Sequence, residues 1–444
     1  MTDSHLFRFR NLDELLSAAS LLGLSLPHRS DITPLFQPLI LGSHTVPNRL
    51  VVQPMEGYDG HPDGSPSEWT VRRYHRYASG GSGLIWFEAT SVSSTGKSNP
   101  RQLWLHAGNI KKFASLIRLV RETAMRQHGK RHRPYLVLQL THSGRYSNPG
   151  GSPTPVTSCR HPVFDMDKTD GRIITDAELE ILADQYVDAC KLAWQAGFDA
   201  VDIKACHGYL AHELLFSRSR HNSRFGGQSY SRRTNWLKRM YDIIREEVPV
   251  IDLCSRINIF DGLPEGWGVS AGNPSIADPE EPMKLIRQLR LKGCNVVNIT
   301  AGIPRINPWL GRPFNKPLPG SPPPPEHPLE GIYRLIALTG EVQKGIPDMA
   351  VVGSAYSWLR HLFPYIASGV ISEGLATFIG LGRMSFAYPD AAGDLIKTGR
   401  LDPRKCCICC SACSDLMRHS MMTGCVVRDK STYSRVYRKM KNTS

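Results

Sequence analysis

Short apolar runs alternate along the chain with longer segments in which apolar residues recur with a helical period. The runs are rich in Val, Ile, Leu and aromatic residues, which favours buried strands over helices. They cover 49–53, 84–89, 135–139, 201–203, 253–258, 295–299, 350–354 and 376–383. The intervening segments 175–196 and 233–247 have the helical period. Strands that alternate with helices in this way predict an α/β fold, and at this length a single (β/α)8 barrel.

Both ends of the chain differ from this pattern. Residues 11–24 have a helical period of their own, so 1–30 is predicted as an N-terminal helical extension. The barrel is predicted over 31–400, followed by a cysteine-rich C-terminal extension over 401–444. Within the barrel segment, residues 303–328 are too rich in proline for a helix or an inner strand. We expect there either an excursion over the top of the barrel, such as a substrate lid, or a disordered surface loop.

Charge and composition limit the class of protein. The net charge of +14 favours anionic ligands such as phosphate-bearing cofactors, but no nucleic-acid-binding motif accompanies the basic residues. No apolar run has the length of a membrane span, and residues 1–10 lack the apolar core of a secretory signal. We therefore expect a cytoplasmic protein that acts on a small molecule and binds neither nucleic acid nor a membrane.

The segment that follows the run 201–203 carries the clearest candidate chemistry. It brings Lys204, His207 and Tyr209 together just past the end of a predicted strand, with Gly208 allowing a turn. A (β/α)8 barrel places its catalytic side chains at this position of its strands. The alternative is that His207 and Tyr209 only hold a loop in place, because both residue types are often partly buried.

This segment also resembles the sequence H-x-x-[HN]-x-Y-L of the old yellow enzyme family, the FMN-dependent ene-reductases. The resemblance implies that Lys204 and His207 bind the oxygen that activates the substrate. It implies that Tyr209 donates a proton to the carbon next to the one that receives hydride. Lys204 is a departure, since most members have His at this position, and its arm is longer and more flexible.

The same resemblance extends to the ends of other strands and implies an FMN site. In the family, Gln139 would meet the pyrimidine edge of the flavin and Arg256 would stabilise negative charge on its ring. Glu56 stands where members often have Cys or Thr, and a carboxylate there would oppose negative charge on the reduced ring. The loops after the last two strands would hold the phosphate. The cofactor residues implied are Pro54, Met55, Glu56, Ala89, Gln139, Arg256, Gly353, Ser354, Gly382 and Arg383.

Six of the eleven cysteines lie between Cys406 and Cys425, which favours a metal or iron–sulfur site over disulfides in a cytosolic protein. Two ligand sets fit the spacing. The favoured one, C-x2-C-x2-C-x11-C, consists of Cys407, Cys410, Cys413 and Cys425; the other, C-x2-C-x3-C-x11-C, begins with Cys406 and Cys409. Both resemble the [4Fe–4S] site of the family branch that includes 2,4-dienoyl-CoA reductase and trimethylamine dehydrogenase. A Zn(Cys)4 site or a metal-free cluster is the alternative.

The sequence thus predicts an FMN-dependent oxidoreductase that transfers hydride from NAD(P)H through the flavin to an electron-poor alkene. A demethylase or dehydrogenase on the same barrel is one alternative, and a non-catalytic metal-binding barrel is another. The expected partners are a small-molecule substrate, an electron-donor protein if a cluster is bound, and further copies of the chain in a homo-oligomer.

Overall fold

The computed structural model describes residues 6–166 and 171–443, and its centre is a closed barrel of eight parallel strands. Each strand pairs with the next along the chain, and the last pairs with the first, Ile379 opposite Leu50. The strands are β1 (Leu50–Val52), β2 (Leu84–Ser91), β3 (Tyr135–Thr141), β4 (Ala200–Ile203), β5 (Asp252–Phe260), β6 (Cys294–Ala301), β7 (Ala350–Gly353) and β8 (Phe378–Leu381). The predicted (β/α)8 barrel is therefore confirmed, with each predicted strand within a few residues of the observed one.

A helix follows each strand. These helices are α1 (Glu68–Ser79), α2 (Ile110–His128), α3 (Asp176–Ala196), α4 (Asn235–Glu247), α5 (Glu280–Leu291), α6 (Pro328–Gly345), α7 (Phe363–Ser372) and α8 (Ala391–Thr398). Helix α3 shows how local sequence sets their ends. Thr175 and Glu178 form a reciprocal capping box at its start, and Gly197 ends it in the left-handed region with φ of 96°. None of the described helices is both long enough and apolar enough to cross a membrane.

The interior of the barrel changes from apolar to polar along the strand direction. Side chains at every second position of a strand point the same way. On β3 the inward series runs from Val137 to Gln139, and on β5 from Cys254 to Arg256. The apolar members pack together at the bottom of the barrel, where a hairpin of Leu39–Leu41 and His44–Val46 covers them. The polar members therefore collect at the carboxyl ends of the strands.

Smaller elements surround this frame. A helix at Leu12–Leu21, capped by Asn11, precedes the barrel, as the sequence predicts. Short helical turns and two-stranded pairs occupy several connections: Thr33–Phe36, Gly144–Tyr146, Val156–Thr157 with Arg172–Ile173, Leu210–Leu215, Tyr230–Arg233, Val269–Ser270 with Asn273–Ala277, Pro308–Gly311, Tyr356–Leu362 and Arg383–Ala387. The proline-rich segment 303–328 contains one of these turns. Its residues Phe314 and Asn315 are buried, which favours an excursion across the barrel over a surface loop.

The C-terminal extension packs against the barrel. It comprises the helix Ala412–Arg418, a π-helical turn at Lys430–Ser434 and the helix Arg435–Thr443. The backbone N–H of Thr423 donates to the carbonyl of Gly57, in the loop after β1, at 2.7 Å. Asp429 accepts a hydrogen bond from Arg72 of α1 at 2.8 Å. These contacts bring the extension to the top of the barrel.

Candidate active site

A deep cavity opens at the carboxyl ends of the strands, where the inward side chains are polar. Its empty space, counting the part open to solvent, is about 1410 Å³. Most of the residues predicted for the site line it: Pro54, Met55, Glu56, Gln139, Lys204, His207, Tyr209, Arg256, Ser354, Gly382 and Arg383. The structure thus brings together segments that are far apart in the sequence.

Two predicted cofactor residues lie outside the cavity wall. Ala89 is buried in β2, and its carbonyl accepts a hydrogen bond from the Gln102 side chain at 3.0 Å. Gly353 ends β7, and a Cβ at this position would lie only 2.8 Å from the Tyr356 hydroxyl. Gly353 therefore permits close packing behind the site, and its neighbour Ser354 reaches the cavity.

Glu56, Lys204 and Tyr209 form a connected group at one wall of the cavity. The Tyr209 hydroxyl donates to Oε1 of Glu56 at 2.7 Å, and Nζ of Lys204 lies 3.5 Å from the same oxygen. The ammonium also lies 3.2 Å from the centroid of the Tyr209 ring, a cation–π contact. Ser98 donates to the other oxygen of Glu56 at 3.2 Å. The carboxylate that departs from the family pattern is thus paired with the lysine that also departs from it.

The position of Glu56 is fixed by the chain that follows it. The backbone N–H of Gly57 donates to Glu88 at 2.7 Å, and Glu88 pairs with the buried guanidinium of Arg73, also at 2.7 Å. Burial raises the pKa of Glu88 to about 7, although Arg73 opposes the shift. The loop after β1 is therefore held by a buried ionic group behind the cavity wall.

Burial sets the protonation states of the catalytic candidates. It raises the pKa of Tyr209 well above 10, and the neighbouring Glu56 raises it further. Tyr209 therefore keeps its proton at neutral pH. Burial lowers the pKa of Lys204 from 10.5, while Glu56 opposes that shift. The pKa of His207 falls well below 6.5 through burial and the nearby charge of Arg256, so its imidazole is neutral.

His207 is held in an unusual backbone conformation. Its φ is 65°, a left-handed value that costs energy for a residue with a side chain and often occurs at functional sites. Its backbone N–H donates to Asn258 at 3.3 Å, and its Nε2 lies 3.2 Å from the Thr300 hydroxyl. His207 and Gly208 thus form a turn that places the neutral imidazole of His207 at the cavity.

Asp202 organises the polar floor of the site. It accepts hydrogen bonds from the Gln139 amide at 2.7 Å, the Trp86 indole at 2.8 Å and the backbone N–H of Arg256 at 2.7 Å. Burial raises the pKa of Asp202 to about 6, and these donors oppose the shift. Asp202 thereby fixes the orientation of Gln139 and the backbone beneath Arg256. Asp202 was not among the predicted site residues. An acidic residue within an apolar strand could have indicated it, because a buried carboxylate needs hydrogen-bond partners.

Arg312 and Arg383 both line the cavity, and their guanidinium charges are close enough to interact. Arg383 is buried and donates to the carbonyl of Pro313 at 2.5 Å, while Arg312 donates to the Ser414 hydroxyl at 2.7 Å. Burial and the neighbouring Arg383 lower the pKa of Arg312 to about 10. Neither guanidinium pairs with a carboxylate in the described part of the chain. Two adjacent cations of this kind suit a phosphate.

The residues present fit FMN. Nε of Arg256 and one terminal nitrogen of Arg383 are buried without a hydrogen-bond partner among the described residues, which suits an anionic ligand at each position. Gln139 offers an amide at the cavity wall. A Cβ at Gly382 would lie 3.4 Å from Sδ of Met55, so the wall there is close-packed. Arg256, Gln139 and the pair Arg312–Arg383 are the residues that would hold the ring and the phosphate.

Several cavity residues were not identified from the sequence. Arg305 and Arg312 come from the proline-rich segment, and Ser414, Met417 and Arg418 come from the C-terminal helix. Their segments carry no local pattern that ties them to the strand ends. They reach the site through tertiary packing, which spacing along the chain does not reveal.

The C-terminal cysteines do not form a complete ligand set in this structure. All eleven thiols are free of disulfides, and no group of three or more His, Cys, Asp or Glu within residues 6–166 and 171–443 is arranged to hold a metal ion. Sγ of Cys407 lies 4.0 Å from Sγ of Cys409, a pair that belongs to neither predicted register. The thiols are thus not arranged around a metal ion in the described residues, although Cys413 and Cys425 each lie within electrostatic range of Cys407.

Comparison with known proteins identifies the family of the chain. The family model described as the NADH:flavin oxidoreductase / NADH oxidase family matches residues 34–290. An NADPH dehydrogenase of Geobacillus sp. (strain WCH70) is 28% identical over 295 residues, covering 64% of this chain and 78% of that protein. An NADH oxidase of Thermoanaerobacter brockii is 28% identical over 387 residues, covering 85% of this chain and 52% of that protein. The chain therefore spans about half the length of the NADH oxidase.

Solved structures share the fold. An old yellow enzyme homologue from Zymomonas mobilis superposes with a TM-score of 0.60 at 20% identity, covering 83% of this chain and 94% of that one. A 2-naphthoyl-CoA reductase in complex with 2-naphthoyl-CoA superposes with a TM-score of 0.70 at 18% identity, covering 89% of this chain and 57% of that one. At these identities the likeness establishes the barrel architecture.

Proposed function

Because the chain belongs to the NADH:flavin oxidoreductase / NADH oxidase family and is an NAD(P)H:flavin oxidoreductase, we propose that it transfers hydride from NAD(P)H through FMN to an electron-poor alkene. The main support for the proposal is that the protonated phenol of Tyr209 and the neutral imidazole of His207 line the same cavity. An enone or enoate needs such a proton on one alkene carbon and donors to its activating oxygen.

The side chains have complementary roles in this reaction. FMN, when bound, supplies the hydride chemistry. Tyr209 holds the proton for the second alkene carbon, because its raised pKa keeps the phenol intact at neutral pH. Lys204 and His207 both line the cavity and offer N–H donors to the carbonyl or carboxyl oxygen of the substrate.

Glu56 and Lys204 set the electrostatic environment of the proton donor Tyr209. The single hydroxyl hydrogen of Tyr209 is donated to Glu56 in this structure, so the hydroxyl has to rotate away from the carboxylate before it protonates an alkene carbon. When Tyr209 gives up its proton, negative charge develops on the phenol next to a carboxylate, which is unfavourable. The ammonium of Lys204, 3.2 Å from the ring centroid, offsets that charge. The substitution of Lys for the family's usual His is therefore compatible with proton donation by Tyr209.

The test separates the two half-reactions. Tyr209→Phe removes the proton and leaves the ring in place. We expect reduction of the bound flavin by NAD(P)H to proceed in the variant, and its reoxidation by 2-cyclohexen-1-one to slow by roughly a hundredfold. Stopped-flow absorbance of the flavin measures each half-reaction.

Tyr146→Phe is the matched control, because Tyr146 also lines the cavity and packs edge-on to Tyr209. Equal losses in both half-reactions of Tyr209→Phe would assign the residue a structural role. A wild-type protein whose flavin is reduced by an amine, and is not reoxidised by any enone, would support the dehydrogenase alternative.

The C-terminal thiols are part of the proposal as well. We infer that Cys407, Cys410, Cys413 and Cys425 hold a [4Fe–4S] cluster when iron is present, on the strength of their spacing. Such a cluster would require an electron-donor protein or would be structural. We also propose that the protein is cytoplasmic and that it assembles into a homo-oligomer.

A further inference from the structure

Two arginine side chains stand at the mouth of the cavity on segments that have no other role in the proposed chemistry. Arg305 belongs to the loop after β6, and Arg418 is the last residue of the helix Ala412–Arg418. Both side chains reach solvent and both line the cavity. The Arg418 guanidinium donates to the carbonyl of Pro304 at 2.8 Å, which holds it beside Arg305.

The charges of the two guanidiniums lie close enough to repel each other. Neither forms an ion pair with a carboxylate in the described part of the chain. Burial lowers the pKa of Arg418, and the nearby charge of Arg305 lowers it further. Like charges held side by side repel each other and are unfavourable unless an anion joins them.

The other charges of the cavity are already accounted for. Lys204 is paired with Glu56. Arg256 and the two guanidiniums of the phosphate site are matched to FMN. Arg305 and Arg418 therefore remain as positive charge that neither the protein nor the cofactor uses.

Their place relative to the reacting centre is defined by two aromatic contacts. The Arg305 guanidinium lies over the ring of Tyr146, 4.5 Å from its centroid. Tyr146 packs edge-on to Tyr209, with ring centroids 5.7 Å apart. Arg305 is therefore one aromatic ring away from the proton donor. A ligand with its reactive carbon at Tyr209 would extend a substituent to Arg305 without leaving the cavity.

We propose that Arg305 and Arg418 bind an anionic group, a carboxylate or a phosphate, on the ligand that enters this cavity. The inference rests on the proposed function and adds to it the charge of the ligand. The anion has two sources: an acidic substituent of the alkene, or a phosphate of the nicotinamide nucleotide. Charge-assisted hydrogen bonds from two guanidiniums suit either source.

The experiment compares matched ligands on the holoenzyme. The alkene arm uses 2-cyclohexen-1-one and 3-oxocyclohex-1-ene-1-carboxylate, which differ by one carboxylate. The nucleotide arm uses NADPH and 1-benzyl-1,4-dihydronicotinamide, which lacks every phosphate. Apparent Kd values come from the perturbation of flavin absorbance for the alkenes and from the concentration dependence of flavin reduction for the hydride donors.

The variants are Arg305→Gln and Arg418→Gln. We expect each to reduce the preference for the charged member of at least one pair by tenfold or more. Arg131→Gln is the control, since Arg131 is an exposed residue before β3, at the opposite end of the barrel, and its loss changes the net charge equally. Added NaCl should weaken binding of the charged ligand to wild type and leave the neutral ligand unaffected.

Each outcome decides the inference. A change confined to the alkene pair assigns the site to a substrate acid, and a change confined to the hydride donors assigns it to the nucleotide phosphates. Changes no larger than those of Arg131→Gln, or a wild-type enzyme that prefers neither charged ligand, would overturn the anion site. The proposed function fails separately, if flavin reduced by NADPH is not reoxidised by either enone.

Discussion

The Tyr209 hydroxyl and the Glu56 carboxylate share a 2.7 Å hydrogen bond between the ends of β4 and β1. The two residues are 153 positions apart, so neither local pattern predicts the contact. Lys204 approaches the same carboxylate oxygen. The two departures from the old yellow enzyme pattern, Glu56 and Lys204, are therefore parts of one electrostatic arrangement around the proton donor.

Glu56→Gln tests the effect of this carboxylate on the cofactor. Removing a negative charge from the cavity favours electron addition to the flavin, so we expect the FMN reduction potential to rise by about 30 mV, which is about 1.4 kcal/mol for a two-electron couple. Dye-equilibrated anaerobic titration measures it. Lys204→Gln removes the opposite charge and should shift the potential downward. Shifts of the same sign in both variants would contradict the electrostatic account.

Arg256→Ala tests the cofactor site. Nε of Arg256 is buried without a hydrogen-bond partner among the described residues, and an anion would satisfy it. We expect the Kd for FMN to rise at least tenfold, about 1.4 kcal/mol, when the guanidinium is lost. Quenching of FMN fluorescence on binding to apoprotein gives the Kd. Arg256→Lys keeps the charge and should recover part of the affinity, while an unchanged Kd in Arg256→Ala would remove Arg256 from the site.

The cysteine cluster is tested by metal analysis. After anaerobic preparation we expect about four irons and four sulfides per chain, and their loss in Cys413→Ala and Cys425→Ala. Cys406→Ala and Cys407→Ala should differ sharply, because only one of them is a ligand in either register. Since Cys409 lies next to Cys407 in the structure, Cys409→Ala completes the set. Stoichiometric zinc without iron would replace the cluster by a zinc site.

We expect His142 to contribute to the loss of stability in acid. Burial lowers its pKa to about 4, and its Nδ1 accepts a hydrogen bond from the backbone of Gly144 at 3.1 Å. In the unfolded chain the imidazole of His142 has a pKa near 6.5. The stabilisation that the neutral imidazole gives the folded protein is therefore fully present above pH 6.5 and is lost as the pH falls towards 4. The shift corresponds to about 3 kcal/mol in the free energy of unfolding. Urea unfolding at pH 7 and pH 4.5 measures it.

His142→Asn keeps an acceptor for Gly144 and removes the titrating group. We expect its loss of stability between pH 7 and pH 4.5 to be smaller than that of wild type. His221→Asn, at an exposed position, is the control and should follow wild type. A variant at residue 142 that shows the wild-type pH dependence would place the acid sensitivity elsewhere.

Most of the barrel and the centre of the site could be predicted from the sequence. Gln139 and Arg256 lie on β3 and β5, and Tyr209 lies in the segment after β4; all three belong to short motifs, because a barrel directs its chemistry to the carboxyl ends of its strands. The contribution of the proline-rich segment and of the C-terminal helix could not be predicted. Arg312 and Arg418 reach the cavity only through long-range packing, and the periodicity of the sequence does not predict such contacts.

The C-terminal segment has a consequence for how the protein loses activity. Thr423 is hydrogen-bonded to Gly57, the residue after Glu56, and Asp429 is hydrogen-bonded to α1, so the segment supports one wall of the cavity. The segment lies outside the closed ring of paired strands, and local opening begins in elements that are less protected than such a ring. Mild heat or limited proteolysis would therefore release the segment first. The molecule would then be a folded barrel that has lost turnover, an inactive species that circular dichroism would still report as native.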